Sequence, residues 1–325
     1  MVARTFLAKL IFLASQSHAS KCHPYGDIGV APGQGHSVQS YQEDYQSCVF
    51  SNRRVFKIRS FLLLGRLSTI IVDPDSMLTE IIDLQCLDQC VNLGPQEVAN
   101  SRYGRWLNHS NRGPYPTQND GITSSPSRGG EVALTIDMCP SSKGISRNVF
   151  RALQTVSQSE NRPIPVGVAM TSRWIQRHPQ LMEELKKSQR ERQLQITWIN
   201  HSSNHRYSRR VKVSENFLRL PGTDLREEVL GNERALIEAG VTPSIYFRFP
   251  GLVSSQSLVE RITDFGLLIL GTDAWLAKGE KPHSGSIILI HGNRNEPVGE
   301  ERFIEYLSQM RKLGHRLSSL FDLLR

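Results

Sequence analysis

For residues 131–325 the sequence predicts an α/β architecture built from parallel strand–helix–strand units. Three observations carry this. Short β-rich apolar runs recur at residues 132–136, 165–170, 194–199, 244–247, 267–270 and 286–290. Helical patterns lie between them, at 172–189, 224–239, 254–264 and 300–312. Polar residues with chemical potential stand just past the runs: Asp137 after the first, His201 after the third, Arg248 after the fourth, Asp273 after the fifth and His291 after the sixth. Strands alternating with helices of this length form a parallel sheet or barrel. In such folds functional side chains gather at the carboxyl ends of the strands.

The rest of the chain reads differently. Residues 1–20 resemble a signal peptide, with Arg4 at the start, an apolar run from Phe6 to Ala14 and a small-x-small site at Ser17-His18-Ala19. Lys9 interrupts that run, and an amphipathic N-terminal helix is the alternative. Export to a periplasm or the extracellular space follows from the first reading, a cytoplasmic location from the second. Residues 21–107 alternate polar tracts with short apolar pieces, as at 60–72 and 81–91, and stay unassigned for want of a repeat or motif. Residues 108–130 are rich in Asn, Ser, Pro and Gly, which predicts a linker and places the domain boundary there.

Hydrophobic residues make up 38% of the chain and charged ones 22%, enough apolar content for a sizeable core. No stretch reaches the roughly 20 apolar residues of a membrane span. The net charge of +8 suits either an anionic partner or a solvated basic surface, and its densest cluster is Arg206, Arg209, Arg210 and Lys212. Without aromatic–basic interleaving or a recognition motif, nucleic acid is not a predicted partner. The five cysteines, at 22, 48, 86, 90 and 139, do not form an even disulfide framework. The C-x3-C of Cys86 and Cys90 lacks a second pair, so thiols are expected rather than a zinc knuckle, with one disulfide open to an exported chain.

His201 and His205 stand four apart, on one face if the loop winds into a helical turn, and can then share one zinc-like cation. Two histidines and one carboxylate, with solvent in the remaining position, make a catalytic rather than a structural site. Asp137 is the obvious carboxylate, although an Asp closing a strand also serves as a cap or turn former.

Taken in order, T-I-D-x-x-P (135–140), N-H-S-x-x-H (200–205), R-x-P (248–250), D-x-W (273–275) and L-I-H (289–291) resemble the polysaccharide deacetylase family of chitin, chito-oligosaccharide and peptidoglycan deacetylases. The resemblance covers about residues 131–325. It implies a distorted (β/α) barrel and a hydrolase that removes acetyl groups from a polysaccharide or oligosaccharide with a divalent metal, usually zinc. It further implies that His201 and His205 bind the metal, Asp137 is the base, Arg248 steadies it and Asp273 is the acid partner of that arginine. His291 would be the general acid, Trp275 would wall the acetyl pocket and Pro250 would lie in the groove. Asn293, Asn295 and Glu296 either line the sugar groove or form a polar turn before the next helix. The family's first motif carries a second Asp as third metal ligand, then Gly; here Met138 and Cys139 stand there. Asp137 is therefore expected to enter the metal shell, the alternatives being a site that binds metal only weakly and a non-catalytic carbohydrate-binding domain.

Overall fold

The computed structural model describes residues 22, 24, 25, 37–126 and 129–325, so the expected signal segment lies outside it. The N-terminal region is an antiparallel sheet of β1 (Val38–Phe50), β2 (Arg53–Leu63), β3 (Arg66–Val72), β4 (Thr79–Asp83) and β5 (Asp88–Asn92), in the order β4-β3-β2-β1-β5. Two-residue turns fix its register. Ser51-Asn52 and Leu64-Gly65 both take positive φ at each residue, between the pairs Phe50↔Arg53 and Leu63↔Arg66. Such turns match the twist of the strands they join.

Four cysteines pair, as Cys22–Cys86 and Cys48–Cys90, which corrects the expectation of free thiols. Every residue of β5 is exposed, so burial does little to hold this edge strand, and the Cys48–Cys90 bridge ties it to β1. Two disulfides suit an oxidising environment. No helix among the described residues is long and apolar enough to cross a membrane.

After α1 (Pro95–Asn100) and α2 (Arg102–Ser110), the chain reaches the stretch whose composition predicts a linker. Its described part is packed. Ile122 is fully buried and bridges in parallel to Leu270, Gln118 bridges Val253, and Ser124 bridges Ser286. The Asn119 side chain bonds both the N–H and the carbonyl of Thr272. Few apolar residues are needed because backbone pairing does the holding.

The second sheet is assembled from β6 (Glu131–Met138), α3 (Arg147–Glu160), β7 (Ile164–Met170), α4 (Ser172–Arg177), α5 (Pro179–Arg190), β8 (Leu194–Asn200), α6 (Leu225–Glu238) and β9 (Tyr246–Phe247). It continues through α7 (Gln256–Asp264), β10 (Leu268–Ile269), β11 (Ala274–Trp275), β12 (Ile287–His291), α8 (Pro297–Gln309), β13 (Arg316–Leu317) and α9 (Leu320–Leu323). Its order is β10-β9-β8-β7-β6-β12-β11, with β13 beside β6 and every pairing parallel. This is the distorted barrel, and segment 118–124 runs across its β10 edge.

Each of the six apolar runs contains a strand. The helix expected over 172–189 is broken at His178, because Pro179 has no N–H to continue it. α3 was not anticipated. Alternation in β6 sends Leu134, Ile136 and Met138 into a core shared with Val149 and Phe150 of α3 and Phe303 of α8. Thr135 and Asp137 face the other way, towards the barrel interior.

The antiparallel sheet docks against α6. Buried Arg59 of β2 pairs with buried Glu233 at 2.7 Å, and the Tyr41 hydroxyl donates to the same carboxylate at 2.8 Å. Arg59 also donates to the carbonyls of Ile58 and Phe265, so its charge is fully partnered.

Candidate active site

A cleft of about 450 Å³ opens at the carboxyl ends of the strands, with Asp137, Cys139, His205, Trp275, His291 and Glu296 in its wall. That volume accommodates a sugar-sized ligand.

Arg248 follows β9 and is fully buried. Its Nη1 donates to Thr135 Oγ1 at 2.6 Å and to Asp137 Oδ1 at 3.0 Å, its Nη2 to the Gly271 carbonyl at 2.9 Å. A buried guanidinium survives only when so matched, and in return it fixes the carboxylate. The second oxygen, Asp137 Oδ2, points at His201 Nε2 from 3.7 Å.

The two histidines converge without a helical turn, which corrects that expectation. Ser202 and His205 have φ of 70° and 49°, and these left-handed kinks bring the rings to 4.9 Å between centroids. Such backbone persists where its surroundings over-determine it. Here α6 does so: Ser203 N–H donates to the Glu228 carbonyl, Asn204 N–H to the Glu228 carboxylate and Asn200 Nδ2 to the Val229 carbonyl. Buried Asn232 braces the loop further, reaching Asn200 Oδ1 at 2.9 Å and the Met170 carbonyl at 2.8 Å. The Phe217 ring packs on His205, and Gly251 makes room for it. A Cβ on Gly251 would lie 2.4 Å from that ring, on a backbone with φ of 60°.

His201 Nδ1 donates to the Arg248 carbonyl at 2.9 Å, leaving the Nε2 lone pair on the side of Cys139 and Asp137. His205 Nε2 is buried with no hydrogen-bond partner. Cys139 Sγ lies 3.4 Å from His201 Nε2. Among the described residues, Cys139, His201 and His205 form the one group of three whose ligand atoms all lie within 4.8 Å of one another, and Asp137 stands outside it. An imidazole nitrogen beside a sulfur, with an orphaned buried nitrogen in the same group, fits a divalent cation.

Burial pushes the Cys139 thiol up, but the imidazoles of His205, His291 and His201 hold it well below its ordinary value. Burial pushes His201 down, and the Asp137 carboxylate and the Cys139 sulfur more than reverse this. His291 sits well above the usual imidazole range: burial lowers it, and Cys139, Glu296 and Asp137 outweigh burial.

Sequence reasoning placed His291 but assigned it no partner. Glu296 Oε2 accepts from His291 Nδ1 at 2.7 Å and from Trp275 Nε1 at 3.0 Å, aligning imidazole and indole along one wall. Cys139 was passed over as a replaced glycine. The signal for it was the odd cysteine, a free thiol left once the other four pair.

Three expectations are corrected. Asp273 does not meet Arg248; its carboxylate accepts from the Ile287 N–H and Ser286 Oγ and pairs with His283. Ile287 opens β12 and His291 closes it, so four residues at about 3.3 Å each separate Asp273 from the cleft end. Asn293 is fully buried, with Nδ2 on the Cys139 carbonyl at 2.7 Å, and buttresses the site instead of lining it. Pro250 is buried, and Gly251 and Leu252 line the cleft there.

Residues 124–270 match the family model described as polysaccharide deacetylase. Among solved structures the chain is similar to a family 4 carbohydrate esterase from Bacillus anthracis, at 19% identity over 63% of this chain and 87% of that one, with a TM-score of 0.49. It is also similar to PdaA of Bacillus subtilis, a family 4 carbohydrate esterase, at 17% identity over 63% and 84%, TM-score 0.47. A third is BA3943, a family 4 pseudoenzyme from Bacillus anthracis, at 13% identity over 90% of each chain, TM-score 0.47. Residues 124–270, from the packed polar segment through β10, are thus similar to the polysaccharide deacetylase family.

Proposed function

We propose that this protein is a metal-dependent hydrolase that removes N-acetyl groups from an amino-sugar polymer. One observation carries the reading. A carboxylate pinned by a buried arginine stands 3.7 Å from a histidine of a two-histidine cluster, in the same cleft as a second carboxylate–imidazole pair.

His201 and His205 would hold the metal. When bound, it supplies Lewis acidity, polarising the acetyl carbonyl and acidifying water. Asp137, oriented by Arg248 and Thr135, accepts the proton of the attacking water. His291, kept protonated beside Glu296, gives a proton to the sugar nitrogen as the C–N bond breaks, so that the amine leaves neutral. Trp275 presents an apolar wall for the acetyl methyl. Acetate and a deacetylated sugar are the products.

The test is acetate release from acetylated glucosamine oligomers by metal-stripped and zinc-reloaded protein, beside metal content. His201→Ala and His205→Ala are each expected to lose most bound metal and all turnover while the far-ultraviolet circular dichroism is kept. Oligomer binding without acetate release at saturating metal would replace this reading with that of a carbohydrate-binding protein. Unchanged metal stoichiometry in both variants would remove the site.

A further inference from the structure

We propose that the Cys139 thiolate is the third protein ligand of this metal centre, making it a sulfur–nitrogen–nitrogen site in which Asp137 stays outside the shell. The inference rests on the reading of His201 and His205 as ligands and adds to it the chemistry of the centre.

Four observations converge. Cys139 Sγ and His201 Nε2 are 3.4 Å apart. Zn–S near 2.3 Å and Zn–N of 2.0–2.1 Å at tetrahedral angles put such ligand atoms about 3.5 Å apart, so a cation fits between them with little movement. His205 completes the group within 4.8 Å, and its Nε2 is buried without a partner. A neutral thiol donating to His201 would leave that nitrogen orphaned, whereas a shared cation satisfies all three atoms. The cysteine is fixed in place, since Asn293 holds its carbonyl at 2.7 Å. Finally, Asp137 Oδ1 is committed to Arg248, and Met138 is buried in the core on the opposite face of β6. Asp137 Oδ2 lies farther from His201 Nε2, at 3.7 Å, and Asp137 falls outside the three-residue group, so the thiol is the donor placed to complete the set.

Thiolate donors favour zinc and cobalt over harder magnesium and manganese. The test is cobalt loading of the full chain, read by absorption. One cobalt per chain is expected, with a thiolate-to-cobalt charge-transfer band in the near ultraviolet. Cys139→Ser is expected to lose the band and to weaken zinc by more than the roughly 10–100-fold that an outer-shell change costs. Cys139→Asp is expected to recover metal without the band, and Asp137→Asn to keep both. Cobalt bound through His201 without the band in the wild-type chain would overturn the proposal, and so would Cys139→Ser with unchanged affinity. The wild-type spectrum needs no variant to fold. A band without acetate release leaves this proposal standing while the activity reading falls. Metal-dependent acetate release without a band does the reverse.

Discussion

Asp137 carries two expectations that the geometry separates. Read from the sequence, the loss of a neighbouring carboxylate at Met138 pulls Asp137 towards the metal; in the fold, Arg248 holds one of its oxygens and Cys139 stands closer to the histidines. Asp137→Asn is therefore expected to lower turnover by about 10²–10⁴-fold, the usual worth of a general base, with zinc content unchanged. Loss of zinc in that variant would return Asp137 to the metal shell. Glu296 is a positioning residue acting through His291. Glu296→Gln is expected to lower kcat by about 10–100-fold with KM nearly constant, short of the ~10²–10⁴ lost with the acid itself. An equal rise in KM would mean that Glu296 binds substrate instead. Asp120 gives a pH test away from the site: burial holds its carboxyl above the ordinary value, against the Ser254 hydroxyl that lowers it. A raised folded-state pKa means that the charged form costs stability at neutral pH, and that this cost vanishes below the unfolded-state pKa near 4. Asp120→Asn should thus raise Tm at pH 7, with the gain fading towards pH 4. A gain that is constant with pH would refute the assignment.

At the scale of elements, the site is as rigid as α6 makes it. Asn232 is fully buried and bonds Ser172, Asn200 and the Met170 carbonyl, tying α6 to the ends of β7 and β8. Asn232→Ala would remove these three buried hydrogen bonds, each with a net worth of about 0.5–1.5 kcal/mol. It is expected to lower stability by at least that much, and to weaken zinc although no metal ligand is touched. Full zinc affinity in a destabilised variant would show that the loop holds its own shape. The paired histidines were legible as a motif, but their means of convergence was not. Positive φ at Ser202 and His205 is imposed by α6, whose contacts lie more than 20 residues downstream.

At the scale of the molecule, the antiparallel sheet and the barrel form one packed body, because Phe56, Ile58, Tyr103 and Ile122 share a core with Ala133, Ile199 and Tyr246. Glu233→Ala would strand the Arg59 guanidinium in that interface and is expected to cost about 3–5 kcal/mol, measured by denaturant unfolding. A loss below 1 kcal/mol would show that the charge finds water. A chain beginning at residue 127 would bare the β10 edge and lose Ile122, and is expected to melt lower or aggregate, in contrast with the independent domain that composition suggests.

The sequence by itself determined the parallel strands, the order of the motifs and the residues at the strand ends. Period-two and period-3.6 patterns are local, and a parallel sheet puts successive strand ends on one side whatever the rest of the chain does. Tertiary structure alone decided which of those residues meet. It gave Asp137 rather than Asp273 to Arg248, turned Met138 into the core while Cys139 faced the histidines, set Glu296 behind His291, and laid a polar segment along a strand edge. The reason is that partner choice depends on which face a side chain takes and how far along its strand it sits, and both are set by pairings between segments distant in the chain.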